Sequence, residues 1–315
     1  MSDGSKIEWT DATWNPVLGC DKVSPGCDHC YAIRTAHRMQ ANPNPKVAAA
    51  YAGTEQGMEW TGRVNLLEDR LALPLRWTKP RRIFVNAQSD LFHADVPDDF
   101  IARVWAVMAT AYRHTFQILT KRHGRMRSLL SSPAFWELFD REWCGLPNWA
   151  PRWPDHEQIP VDHTYHLKDG PLSNVWLGVS VEDQQRADLR VPALIGTPAA
   201  VRFLSCEPLL GPVDLSHWLF HTPECDAAEA PWCICHRHRE GDPYFYVARI
   251  DWVIAGGESG PDARPMHPDW ARQLRDQCTG AGVPFLFKQW GGARASSGGR
   301  ELDGRTWDEY PESGS

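Results

Sequence analysis

Six short apolar runs, nearly every one closing in a polar cluster and alternating with helical patterns in three of the five intervals between them, limit the folds open to this chain more than any other feature. They are RIFVNAQSD (82–90), TFQILTKR (115–122), NVWLGVSVE (174–182), VRFLSCEPL (201–209), IDWVIAGGES (250–259) and PFLFKQWGG (284–292). Each is rich in β-branched and aromatic residues and bounded by turn formers, as buried strands are. ATWNPVLGC (12–20) makes a seventh. Helical patterns cover Tyr31 to Gln40, 97–113, 183–195 and 267–282, the last closing on glycine. Strand alternating with helix requires parallel strands joined by crossover helices. The expected class is therefore α/β with six or seven mainly parallel strands, arranged as a complete or partial (β/α) barrel or as an open doubly wound sheet.

The polar ends carry the functional expectation. They hold Gln88, Ser89 and Asp90; Thr120, Lys121 and Arg122; Ser180 and Glu182; Ser205 and Glu207; Glu258 and Ser259; and Lys288 and Gln289. In parallel α/β folds the C-terminal strand ends share one face, where substrates bind. Glu207, Glu258 and Lys288 are the candidate catalytic residues among them, Lys288 as an anchor for a carboxylate or phosphate. The glycines of IAGGESG permit close backbone approach beside Glu258, and Cys206 is expected to be a buried structural thiol.

Two stretches break the rhythm, 131–173 and 216–249, and are expected to be loop-rich insertions in a barrel spanning 1–292; 293–315 reads as a flexible tail. A net charge of -7 excludes a broadly basic nucleic-acid coat, although KPRR (79–82) and KRHGRMR (121–127) are candidate phosphate contacts. No apolar run is long enough to span a bilayer and the N-terminus lacks a signal-peptide pattern. The expectation is a cytoplasmic protein with no membrane partner.

Nine cysteines in a reducing compartment point to metal or redox chemistry rather than to a disulfide framework. Three of them, Cys20, Cys27 and Cys30, lie in GCDKVSPGCDHC. A structural zinc site wants four protein ligands, and the fourth here would be His29, awkwardly adjacent to Cys30. Three thiolates instead suit a [4Fe-4S] cluster with one iron open to an exogenous ligand. In the second insertion Cys225, Cys233, Cys235, His236 and His238 have ligand types suited to zinc or an auxiliary cluster, in a spacing that matches no established zinc pattern.

A three-cysteine loop after a first strand, in an α/β chain with polar strand ends, resembles the radical S-adenosylmethionine (SAM) superfamily, with a first cysteine gap of six residues in place of the usual three. IEWTDATWNPVLGCDKVSPGCDHCYA, SDLFH, LTKR, VWLGVSVE, FLSCEPLLGP, DWVIAGGESG and FLFKQWG are also similar to a family of phage and mobile-element proteins with a three-Cys motif. The resemblance implies a radical SAM-like partial barrel in which Cys20, Cys27 and Cys30 hold the cluster. It further implies that Gln88, Ser89 and Asp90 meet the SAM amino group and that Ser180 and Glu182 lie near its ribose or carboxylate. The implied activity is generation of a 5′-deoxyadenosyl radical that modifies a substrate, with a nucleic-acid base or nucleotide as the first substrate class. An electron donor and a genetically linked protein are the implied partners. The competing expectation is a non-enzymatic zinc-binding scaffold.

Overall fold

A computed structural model describes residues 4–5, 7–149, 171–219, 249–294 and 297–311. All seven expected strands form: β1 (Ala12–Trp14), β2 (Arg82–Val85), β3 (Thr115–Thr120), β4 (Val175–Ser180), β5 (Val201–Cys206), β6 (Trp252–Gly256) and β7 (Phe285–Gln289). They are hydrogen-bonded in chain order as one seven-stranded sheet. Ala12 pairs with Ile83, Ile83 with Phe116, Phe203 with Trp252 and Val253 with Phe285, every one in parallel register. The α/β class follows, as the alternation required. The chain divides into two compact units, Met1–Trp176 and Leu177–Ser315.

In the first unit, α1 (Tyr31–Gln40) and α2 (Pro45–Tyr51) pack around Leu18, Ala36, Ala50 and Tyr51. Helix α3 (Asp98–Thr110) is the crossover from β2 to β3, with Asp98 and Asp99 in its first turn, where the helix dipole favours negative charge. After β3 come α4 (His123–Leu130) and α5 (Pro133–Trp149). The expectation of a loop-rich insertion from 131 is thus corrected in its first part. Pro133 is tolerated at a helix start because its missing N–H is an orphan there. Phe135, Trp136, Phe139 and Leu146 are buried, and Phe135 meets Trp105 of α3 edge-on with ring centroids 5.8 Å apart. Residues 150–170 lie outside the described residues.

In the second unit, α6 (Gln184–Ile195) connects β4 to β5 and α7 (Pro268–Ala281) connects β6 to β7. Asp183 caps α6 by accepting from the Arg186 amide at 3.0 Å. The second insertion, with Cys225, Cys233, Cys235, His236 and His238, lies outside the described residues apart from a short helix at Ser216–Leu219 and residues 249 onward. The expected flexible tail is also corrected. Leu302 is fully buried, Glu301–Leu302 pairs with Arg305–Thr306, the Phe287 amide donates to Trp307 O at 2.9 Å, and the Trp252 indole donates to Glu309 O at 2.9 Å. Two tryptophans and a leucine supply the burial that ASSGGRELDGR conceals among small and polar residues. Among the described residues no helix is long and apolar enough to cross a membrane.

Candidate functional site

The three-cysteine segment is assembled from three kinds of backbone. Gly19 turns the chain out of Val17–Leu18 at φ +93°, and a Cβ there would lie 2.1 Å from Arg63 O, so only glycine delivers Cys20 to its place. Cys27 ends a 3₁₀ turn at Pro25–Cys27, and Cys30 sits at the N-cap of α1. A helix N-terminus favours an anionic sulfur. All three thiols are free and partly buried.

The end of β2 is stitched to this segment. Gly19 and Ser89 form a parallel bridge and Ser89 Oγ donates to Val17 O at 2.8 Å. The Tyr51 hydroxyl donates to Gln88 Oε1 and the Tyr31 hydroxyl to Ala87 O. Asp90 is buried and both its oxygens are engaged. Oδ1 accepts from the Phe92 amide at 3.0 Å and Oδ2 from the Lys121 amide at 3.0 Å, while Thr120 Oγ1 lies 2.7 and 2.9 Å from the two. Burial pushes the Asp90 carboxyl above its ordinary range, and the hydrogen bonds from Thr120, Lys121 and Phe92 oppose that shift. Gln88, Ser89 and Asp90, expected to meet an exogenous amino group, are thus gathered beside the cysteine segment, with hydrogen bonds already made inside the chain.

Beyond β3, Thr120 Oγ1 accepts from the Arg122 amide at 2.8 Å. The Arg122 guanidinium meets Asp21, and its Nε is 4.0 Å from Asp90 Oδ2. His93 Nε2 lies 3.2 Å from the same Asp21 Oδ1. Asp21 Oδ1, His93 Nε2 and Arg122 Nε and Nη2 are nevertheless all buried without a hydrogen bond of adequate geometry. Arg122 is one of the polar strand-end residues named from the sequence; Asp21 and His93 were given no role there. The only local signal was a histidine placed directly after the buried pair Leu91 and Phe92.

Burial pushes the Cys20 thiol up to about 12, with Asp90 and Cys30 adding to the rise and Arg122 opposing it. Burial also raises Cys30, against the Ala32 and Ile33 amides and Lys121, with Cys27 adding to the rise. The three sulfurs therefore feel one another and two cations. Among the described residues no three His, Cys, Asp or Glu side chains are gathered as a single-ion site.

One arginine of the basic run after β3 is engaged within the chain. Arg125 donates to His93 O, to Val96 O at 2.6 Å and to Asp98 at 2.6 Å, which removes it as a phosphate contact.

In the second unit, Glu182 is fully buried and accepts from Arg190 Nη1 at 2.8 Å; the same nitrogen donates to Ser180 O at 2.7 Å. Glu258 takes the Arg264 amide and Nε at 2.8 and 2.9 Å on one oxygen and Nη2 at 2.6 Å on the other. Gln289 donates to Ser259 Oγ at 2.6 Å. Glu207 pairs with Lys288 at 2.6 Å, both side chains retaining some exposure. A Cβ on Gly256 would stand 3.0 Å from Glu207 Oε1, so the glycine leaves the carboxylate its room. Cys206 is fully buried, and desolvation raises its thiol well above the ordinary value. Glu182 and Glu258 are thus locked in buried ion pairs, whereas Glu207 and Lys288 form an acid–base pair that solvent reaches.

One family model matches residues 4–311, and its description reads "Protein of unknown function (DUF5131)". No curated protein matches the chain, and no solved structure matches it.

Proposed function

The chain belongs to the DUF5131 family, and we propose that it is a radical SAM-like iron-sulfur enzyme whose cluster is held by Cys20, Cys27 and Cys30. The observation that carries the reading is the chemistry of this donor set. Three free thiols share one short segment, one of them at a helix N-terminus. Two cations, Arg122 and Lys121, oppose the burial of those thiols. Such a setting suits a cofactor that carries negative charge on its sulfurs. When bound with SAM, the cluster would supply the one-electron chemistry of a 5′-deoxyadenosyl radical.

The chain's own residues position and shield. The Gly19–Ser89 bridge and the Ser89–Val17 hydrogen bond fix where the cysteine segment leaves the sheet. Asp90 holds the Thr120–Lys121–Arg122 turn. Arg125 is spent on backbone oxygens and Asp98, so it is not the residue of the 121–127 run that would meet a phosphate. In the second unit, Glu207 and Lys288 are the pair suited to hold or move a proton.

The test is anaerobic purification with iron, sulfide and zinc analysis, and EPR of the reduced protein with and without SAM. About four irons per chain, with a signal that SAM shifts and Cys27→Ala abolishes, is the expected result. Zinc without sulfide after reconstitution would overturn the reading in favour of a zinc scaffold.

A further inference from the structure

We propose that the N-terminal rim of β2 and β3 is a binding surface for single-stranded nucleic acid, on which Arg76, Lys79, Arg81 and Arg113 meet backbone phosphates and Tyr112 stacks on a base. The inference goes beyond the iron-sulfur reading and does not depend on it. Because β1, β2 and β3 are parallel, residues that precede β2 and β3 lie at the opposite end of the strands from Cys20, which follows β1.

The fold collects these cations from two separate segments. Arg82 is in register with Thr115, and the Thr115 amide donates to Arg81 O at 2.9 Å, which sets Arg81 beside the 112–114 turn. The 74–81 segment folds back on the same turn. His114 Nε2 lies 3.1 Å from Pro74 O, Trp77 meets the His114 ring edge-on at 6.1 Å, and the Arg81 guanidinium lies over the Trp77 ring at 5.1 Å. Arg76 and Lys79 flank Trp77 and stand exposed. Tyr112 is 75% exposed at the turn between α3 and β3. Arg82, beside them, is matched by Asp11 at 3.1 Å and is left out of the surface. Like charges gathered on one rim repel one another, and in a chain of net charge -7 such a collection is not a by-product of composition. A polyanion relieves that repulsion. Cations interleaved with an exposed aromatic ring fit a strand whose bases are unpaired, because phosphates take the charges and a base face takes the ring.

Fluorescence anisotropy of a labelled mixed-sequence deoxyoligonucleotide, titrated with the full chain over a series of salt concentrations, reads the two contact types separately. About four phosphate contacts to a single strand give log affinity against log salt a slope of about -3. The exposed pair variant Arg76→Glu/Lys79→Glu should bind at least about tenfold more weakly, with the slope shallower by about 1.4. Tyr112→Ala should weaken binding about fivefold or more with the slope unchanged, since stacking releases no counterions, and Tyr112→Phe should restore it. Arg38→Glu/Lys46→Glu, an equal change of charge at exposed positions on α1 and α2, should lose far less.

Equal losses in the two charge-reversed pairs would reduce the effect to overall charge and overturn the inference, as would no binding at low salt. Unchanged affinity in Tyr112→Ala, or a duplex of the same sequence bound as tightly, would overturn the single-strand assignment. Binding of phosphatidylserine vesicles that the oligonucleotide does not compete would give the rim to a membrane surface and sink the proposal. The titration uses the chain as purified, so absence of iron and sulfide would overturn the proposed function alone, and failure of the oligonucleotide titration would overturn this inference alone.

Discussion

Replacing Asp90 with Asn separates two roles for one carboxylate. In the clamp role its oxygens accept the Phe92 amide at 3.0 Å and the Lys121 amide at 3.0 Å, with Thr120 Oγ1 reaching both. Asparagine keeps one oxygen and turns an NH₂ toward the other donor. The Thr120 hydroxyl can reverse its role and accept, but a backbone N–H cannot, so one buried amide loses its partner. That costs about 1–3 kcal/mol, and hydrogen bonds to a charged acceptor are the stronger kind. Against it stands the relief of burying a neutral group, the same desolvation that raises the Asp90 pKa. The net expectation is a loss of ~2 kcal/mol, read by urea denaturation, or about 4–8 °C in melting temperature for a domain of this size. SAM binding to the reconstituted protein, measured by equilibrium dialysis, should weaken only as far as the cysteine segment loosens. If Asp90 instead receives the SAM ammonium, the variant would keep its stability within ~0.5 kcal/mol and lose binding outright; that pairing of results refutes the clamp.

Gly19→Ala and Gly62→Ala both place a side chain at positive φ, +93° and +84°, but only at Gly19 does the new Cβ meet a backbone oxygen, at 2.1 Å. Gly62→Ala should cost about 1 kcal/mol, and Gly19→Ala at least ~2 kcal/mol more together with cluster retention; equal denaturation midpoints would sink the steric account. His114 is buried with Nε2 3.1 Å from Pro74 O, and burial holds its pKa below the ordinary value. The unfolded chain therefore binds the proton first, so His114 favours the fold above about pH 6.5, and that contribution falls as pH drops below it toward the folded-state pKa. His114→Gln should flatten the stability slope between about pH 7.5 and 5.5, leaving the part due to His93, whose pKa burial also lowers; an unchanged slope contradicts this. For Glu207 and Lys288, 2.6 Å apart and mostly shielded, a double-mutant cycle with Glu207→Gln and Lys288→Met should give a coupling of about 1–3 kcal/mol, and a value under ~0.5 kcal/mol would mean that solvent already screens the pair.

The strands were legible because their signal is local: a few β-branched or aromatic residues between turn formers suffice. Their ends were not. RIFVNAQSD reads as a strand to residue 90, yet β2 stops at Val85 and Asn86 turns the chain at φ +57°, a conformation asparagine tolerates better than most residues. Gln88, Ser89 and Asp90 therefore lie on a turn, where they can bind the cysteine segment and the start of the β3–α4 loop, and period-two alternation says nothing about where they point. α5 was hidden because Pro133 and four tryptophans between 136 and 153 look like loop punctuation, whereas burial selects the face carrying Phe135 and Phe139.

The same division holds at the candidate sites. A cysteine triad is visible because its members are neighbours in sequence. What neutralises a buried carboxylate is visible only when the fold brings the cation back. Arg190 returns to Glu182 through two turns of α6, and Arg264 folds over Glu258 after the turn at 259–263. Arg122 reaches Asp21 because β1, β2 and β3 are parallel neighbours. Acidic residues at strand ends thus divide by their partners. Glu182 and Glu258 hold the fold in closed ion pairs, Asp90 holds a turn, and Glu207 pairs with Lys288, which comes from the end of a different strand, in an ion pair that remains partly open to solvent.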